Sequence, residues 1–243
     1  MDNTFRQIGN NTTLSQQIVQ QIEDSIRNKV LLPGQKLPTE QEMSSIFGVG
    51  RPALREALQI LSTKGLITIR KGKGAYVNDY HPTLASNPMH LYLELNLNKD
   101  LILHLVTIRK LLEPNIARLA ARNRTEEDVQ ELQSILKEFE TTSEDKHQRQ
   151  GELDRDFHMK LAYSTQNPII PLIVDPVFQM MPKIKAIILT HVEQAHGSAV
   201  EHHRMILDKI VAQDADGAYQ EMVEHMAIAE EHANITAQSM ESN

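Results

Sequence analysis

The stretch TEQEMSSIFGVGRPALREALQIL, residues 39–61, decides the fold of the first third of the chain. Thr39 followed three residues later by Glu42, with Pro38 just ahead, is a capping-box spacing and predicts a short helix ending at Phe47. Gly48 suits a turn residue with positive φ. A second helix follows, with Pro52 in its first turn and Leu54, Ala57, Leu58 and Leu61 on one apolar face. Two short helices joined by so tight a turn read as a helix-turn-helix.

Working outward, Leu14, Ile18, Ile22 and Ile26 recur every four residues and predict an amphipathic helix over 14–29. Leu31-Leu32-Pro33-Gly34 closes it with turn chemistry. Downstream, Gly65 stops the recognition helix. Leu66–Ile69 and Ala75–Val77 then read as two strands joined by the basic tip Arg70-Lys71-Gly72-Lys73-Gly74. The whole is a winged helix-turn-helix over residues 13–78. Its third helix is expected in the major groove, where Arg51 and Arg55 project from one face and suit bidentate contact with guanine. Lys71 and Lys73 flank Gly72 at the wing tip, placed to neutralise phosphates or enter the minor groove, and Gly74 allows close backbone approach.

The net charge of −7 over 243 residues at first opposes DNA binding. Splitting the chain removes the conflict. Residues 1–79 hold 10 Lys+Arg against 7 Asp+Glu, whereas the remainder holds 15 against 25 and all 11 histidines. The halves therefore differ in chemistry and in expected partners. Aromatics at 4% and the absence of Trp fit a helical core of Leu, Ile, Ala and Met. The absence of Cys excludes disulfides and thiolate metal sites. Without a long apolar run or an apolar signal core, a soluble cytoplasmic protein with no membrane partner is expected.

Residues 1–12 are polar and expected to be disordered. His81-Pro82 and Asn87-Pro88 disfavour helix, so 79–88 reads as a linker. Helices are predicted near 89–96, 100–122, 125–141, 144–166, 168–192, 198–213 and 215–238, with kinks at Pro114 and Pro182. Thr125 with Asp128, and Ser198 with Glu201, mark helix starts. The expected fold is mainly α: the N-terminal winged helix-turn-helix plus an antiparallel bundle of six to seven helices over 89–240.

That bundle concentrates ligand-type side chains. Asp154 and His158 are four apart on an inward stripe continued by Leu161 and Ala162. His203 shares a face with Ile206, Leu207 and Ile210, and His225 shares one with Met222, Ile228 and Ala229. A lone histidine on an apolar face is usually a hydrogen-bonded core residue. Four convergent groups, one a carboxylate that is costly to bury, equally suit a divalent metal. Spacing alone leaves both readings open. His202 rivals His203 but points toward the side of its helix. His191, His196 and His232 are expected to be solvated or structural.

The motifs together are similar to a known family. LPGQKLPTE at 32–40, FGVGR at 47–51, LREAL at 54–58, KGLI at 64–67 and GKGAYV at 72–77 resemble the GntR family of bacterial regulators. That resemblance implies a homodimer on palindromic operator DNA, most often as a repressor. It places DNA-reading roles on Arg51 and Arg55 and includes Thr39 and Gln41 among the DNA-facing positions. Gly50 stands where the family usually has Ser or Thr, and Gln41 where many members have Arg.

The segment from Arg109 to Ala117, then Asp154 to His158, His203-Arg204 and His225, resembles the FCD ligand domain of the FadR subfamily, over about residues 90–238. In its metal-containing members the matching Asp and three His hold a divalent ion, usually zinc, nickel or manganese. All four positions are filled here, by Asp154, His158, His203 and His225. Arg109 matches a family arginine that faces the cavity and would pair with a small carboxylate effector, a sugar acid or hydroxy acid; Glu113 one turn on offers it a plain salt bridge instead. A metal-dependent enzyme is the alternative, but a di-iron site wants paired Glu-x-x-His motifs, Glu193 with His196 lies close to Gly197 at an expected helix end, and no general base accompanies the ligand set. A purely structural metal is the other. The reading favoured is a regulator, not an enzyme.

Overall fold

The computed structural model describes residues 12–79, 83–143 and 145–241. It separates into two compact units, residues 1–84 and 85–243.

The first unit holds α1 (Leu14–Arg27), α2 (Glu40–Phe47), α3 (Arg51–Thr63) and the antiparallel pair β1 (Ile67–Arg70) and β2 (Gly74–Val77). Thr13 and Thr39 each close a full capping box, with Gln16 and Glu42 as the returning side chains. Gly48 ends α2 with φ of 65°, the left-handed conformation the turn requires. Ile18, Ile22, Leu54, Ala57, Leu58 and Leu61 form the core, closed by Ile67 and Val77 from the strands. The segment before α2 adds a third short edge that the periodicity did not reveal. Leu37 N–H donates to Ala75 O, and Val77 N–H donates to Gln35 O, both at 2.9 Å.

The second unit is helical throughout: α4 (Thr83–Leu95), α5 (Lys99–Asn123), α6 (Glu126–Thr141), α7 (His147–Ser164), α8 (Ile169–Phe178), α9 (Met181–Leu189), α10 (Ala195–Val211) and α11 (Ala215–Glu241). α5 packs along α11, and α7 packs against α6 and α9. Phe139, Phe157, Leu132, Leu161 and Ile206 fill the main core.

Three boundaries differ from expectation. The segment 79–88 is not an extended linker along its length. Residues 80–82 lie outside the described residues, and from Thr83 the chain is helical with Pro88 inside. Packing overrides the local proline signal: Ser86 is buried and its hydroxyl donates to Asp175 Oδ2 of α8 at 2.5 Å. The expected single helix over 168–192 is two helices. Pro182 occupies the first turn of α9, where its missing N–H costs nothing, so the chain breaks ahead of it rather than kinking at it. α10 starts at Ala195, not at Ser198. α5 runs continuously through Pro114. The polar N-terminal residues 1–11 lie outside the described residues.

Candidate functional site

α7 is the spine of the site in the second unit. Its buried face carries Asp154 and His158, one turn apart as the sequence spacing requires. α10 brings His203, which is fully buried, and α11 brings His225. The His158 Nε2 atom lies 3.2 Å from His203 Nε2 and 3.3 Å from His225 Nε2. Zinc held tetrahedrally by imidazoles at about 2.0–2.1 Å spaces its ligand atoms about 3.3 Å apart. Two of the three pairs thus already have the spacing of a metal-ligand set, and one ligand nitrogen from each ring lies within 4.8 Å of the others.

Packing fixes the rings. His203 stacks on Phe157, with centroids 4.2 Å apart and an interplanar angle of 11°. His158 is held from behind: its Nδ1 meets the carboxylate of Glu113, on α5. A carboxylate on Nδ1 favours the proton there, which turns the Nε2 lone pair toward the cluster. Glu113 also accepts from Arg109 Nε at 2.5 Å, and Arg109 Nη2 lies 3.3 Å from His158 Nε2. Arg109, Glu113 and His158 therefore form one chain of contacts.

Asp154 sits slightly apart. Its Oδ1 is 3.7 Å from His203 Nε2 and 3.6 Å from Lys185 Nζ, and it has no hydrogen-bond partner among the described residues. A buried carboxylate oxygen left in this state fits a metal ligand better than a structural group. Burial pushes the Asp154 carboxyl up, but Lys185, followed by His158 and Arg109, holds it at about 2. Burial drives His203 and His225 well below the usual histidine range, so both are neutral near pH 7, the form that ligates. Glu113 is also held below the usual carboxylate range: burial opposes this, and Arg109 and His158 overcome it.

Beside the cluster lies a cavity of about 40 Å³. Arg109, Asp154, Lys185, His225 and His232 supply its polar wall, and Val106, Met181 and Ile184 are among its apolar residues. Such a volume holds only about one to three water-sized groups. Three of the residues here were not singled out from the sequence. In the sequence Glu113 reads only as a partner for Arg109, Lys185 belongs to no motif, and His232 is expected to be solvated or structural. Of the other histidines, His202 is half-buried with its ring 5.9 Å from that of His225, His191 is exposed, and His196 packs edge-on against Phe139.

In the first unit, Arg51 is the first residue of α3 and is exposed. Gly50 is the N-cap of that helix and offers no side-chain cap. Arg55, one turn on, gives Nε to Glu40 Oε2 of α2 at 2.8 Å. Gln41 is exposed on α2, and Thr39 uses its hydroxyl in capping that helix. Lys71 and Lys73 are exposed in the turn between the strands, and Gly74 opens β2. A surface groove between α2, α3 and the wing is lined by Lys36, Thr39, Arg55, Lys73 and Gly74 among others. Lys36 is a further cation there, 6.0 Å from the Tyr76 ring centre, that sequence reading passed over.

A winged helix-turn-helix followed by a helical domain with a buried histidine cluster defines a regulator that reads DNA and holds a candidate ligand site. Residues 14–77 match the model of bacterial regulatory proteins of the gntR family, and residues 104–228 match the FCD domain. The HTH-type transcriptional regulator YcbG of Bacillus subtilis (strain 168) is 32% identical over 217 residues, covering 89% of this chain and 88% of that protein. LutR of the same organism, also named an HTH-type transcriptional regulator, is 32% identical over 214 residues, covering 85% and 94%. A solved Streptococcus agalactiae GntR structure superposes with a TM-score of 0.68 at 25% identity, covering 89% of this chain and 99% of its own. The chain belongs to the GntR family, with an FCD domain following its winged helix. Its families and relatives are transcription regulators, not enzymes. No helix among the described residues is long and apolar enough to cross a membrane.

Proposed function

We propose that this protein is a ligand-responsive transcriptional repressor of the FadR type. It binds a palindromic operator as a homodimer and is released by a small carboxylate held beside a divalent metal. Arg51 and Arg55 contact base edges in the major groove, with Thr39 and Gln41 beside them. Lys71, Lys73 and Gly74 engage the backbone or the minor groove. His158, His203 and His225 hold the metal, with Asp154 as the fourth ligand; zinc suits the set best, with nickel or manganese as other candidates. The metal supplies an electrophilic anchor for a carboxylate oxygen, and Arg109 orients that carboxylate.

The observation that carries this reading is the convergence of three buried imidazoles, with His225 also lining the adjoining cavity beside Arg109. The cavity is small, so it favours acids of a few carbons over long sugar acids. Binding works through the acid's unequal affinity for two arrangements of the dimer, one spaced for the two half-sites and one not.

Electrophoretic mobility shift with the protein's own promoter DNA tests the reading. Zinc-loaded protein is expected to retard the fragment and to release it on addition of a small hydroxy acid. The metal-stripped protein is expected to lose the acid response. An acid response that persists without metal would rule the mechanism out.

A further inference from the structure

Lys185 is a half-buried cation that is only loosely held. Its side chain is only 12% exposed, its ammonium stands 3.6 Å from Asp154, and its best hydrogen bond is to the Ala195 carbonyl at 3.4 Å. It lines the same cavity as Arg109, and His232 of α11 lies on that wall too.

Charge balance shows what it lacks. Around the cavity, Asp154 and Glu113 are opposed by Arg109 and Lys185, so these four groups sum to zero. A divalent ion held by neutral imidazoles adds two positive charges. A monocarboxylate cancels one of them and leaves the other uncompensated, which is unfavourable away from bulk water. A dianion cancels both. When Asp154 turns to the metal, its hold on Lys185 weakens, and the ammonium is available to a second carboxylate.

We infer that the ligand of this pocket is a short dicarboxylate, bound by the metal and Arg109 at one end and by Lys185 at the other. His232 offers a ring N–H beside the second carboxylate. The inference rests on the metal-and-acid reading above and narrows it from carboxylates in general to those with two charged ends. The cavity of about 40 Å³ favours the smallest members of the class, and malonate is the first probe. Met181, an unbranched side chain in the wall, can shift to admit it.

Isothermal titration calorimetry on the zinc-loaded full chain, with zinc measured by elemental analysis, tests this. Malonate is expected to bind roughly tenfold or more tightly than lactate or propionate, as a second charge-assisted contact requires. In Lys185→Met that ratio is expected to collapse toward one with zinc still bound, and in Lys185→Arg to persist. Equal affinities in the wild type, or a preference that survives in Lys185→Met, would overturn the dicarboxylate assignment alone. Zinc-loaded protein that binds neither kind of acid overturns the acid reading with it. A wild-type chain that holds no metal overturns the metal reading and this inference together.

Discussion

Glu113 touches Arg109 with one carboxylate oxygen and His158 with the other, so it links that arginine to a ring of the histidine cluster. Glu113→Gln keeps the size but loses the charge that holds the His158 proton on Nδ1. On the metal reading, zinc affinity is expected to fall about 10- to 100-fold, as for other partners behind a ligand. Competition with a zinc-binding dye reads this directly, and an unchanged affinity would remove Glu113 from that role. The sequence made His158, His203 and His225 legible because each falls on the apolar stripe of its own helix. Glu113 was half legible. Its bond to Arg109 is local, four residues away, whereas its bond to His158 spans 45 residues and two helices. Lys185 gave no signal, because a lysine in an apolar helix is ordinarily read as the exposed side of it. A second residue-scale expectation concerns Gly50. A Cβ there meets nothing closer than Pro52 Cδ at 3.5 Å, so Gly50→Ser is tolerated. The hydroxyl is expected to cap α3 and stabilise the first unit by a few tenths of a kcal/mol in urea denaturation.

At the scale of elements, helix starts were read best where capping chemistry is explicit. Thr125 and Asp128 cap α6 reciprocally, Thr125 N–H giving to Asp128 Oδ2 at 2.8 Å and Asp128 N–H to Thr125 Oγ1 at 3.1 Å. Lys160 of α7 adds an ion pair to Asp128 at 2.9 Å. Burial pushes the Asp128 carboxyl up, but the Thr125 backbone and Lys160 outweigh it and hold the group below the usual carboxylate range. A depressed folded value gives stability that is complete above the unfolded carboxyl's titration, near pH 4, and fades as pH falls through the lower folded value. Asp128→Asn is expected to cost about 1 kcal/mol at pH 7. The gap from wild type should shrink in acid, as measured by urea melts at pH 7 and pH 3. Ser198 with Glu201 has a similar spacing but lies inside α10, so spacing alone does not fix a start. α10 opens at Ala195 with no side-chain cap, and α4 opens ahead of Pro88 because Ser86 is anchored to α8. The meeting of α7 and α9 was not legible at all. A Cβ on Gly151 would lie 2.6 Å from Pro182 Cα, so only glycine lets α9 come this near. Gly151→Ala is expected to move α9 outward, with Lys185 and Met181 on it, at a cost of about 1–3 kcal/mol in thermal or chemical denaturation.

At the scale of the molecule, net positive charge is confined to residues 1–79 and histidine to the rest, although the whole chain is acidic. Arg51→Ala combined with Arg55→Ala is therefore expected to abolish specific retardation of operator DNA while leaving zinc content unchanged. Specific binding that survives both substitutions would displace the reading from α3. The division into a winged helix and a helical domain was visible in the sequence from charge and periodicity together, since each is set locally. The cavity was not, because it is made by side chains from α5, α7, α8, α9 and α11. The ion pair between Arg55 and Glu40 bears on how such a protein would find its site. An exposed pair of this kind is worth up to about 1 kcal/mol. While the protein slides along unrelated sequence, Arg55 has a carboxylate to return to, and no base need hold it. Only a guanine offering two acceptors competes well with Glu40. On the DNA-reading role proposed for Arg55, the pair shortens residence at wrong sites, so the search stays quick while the true site keeps its grip.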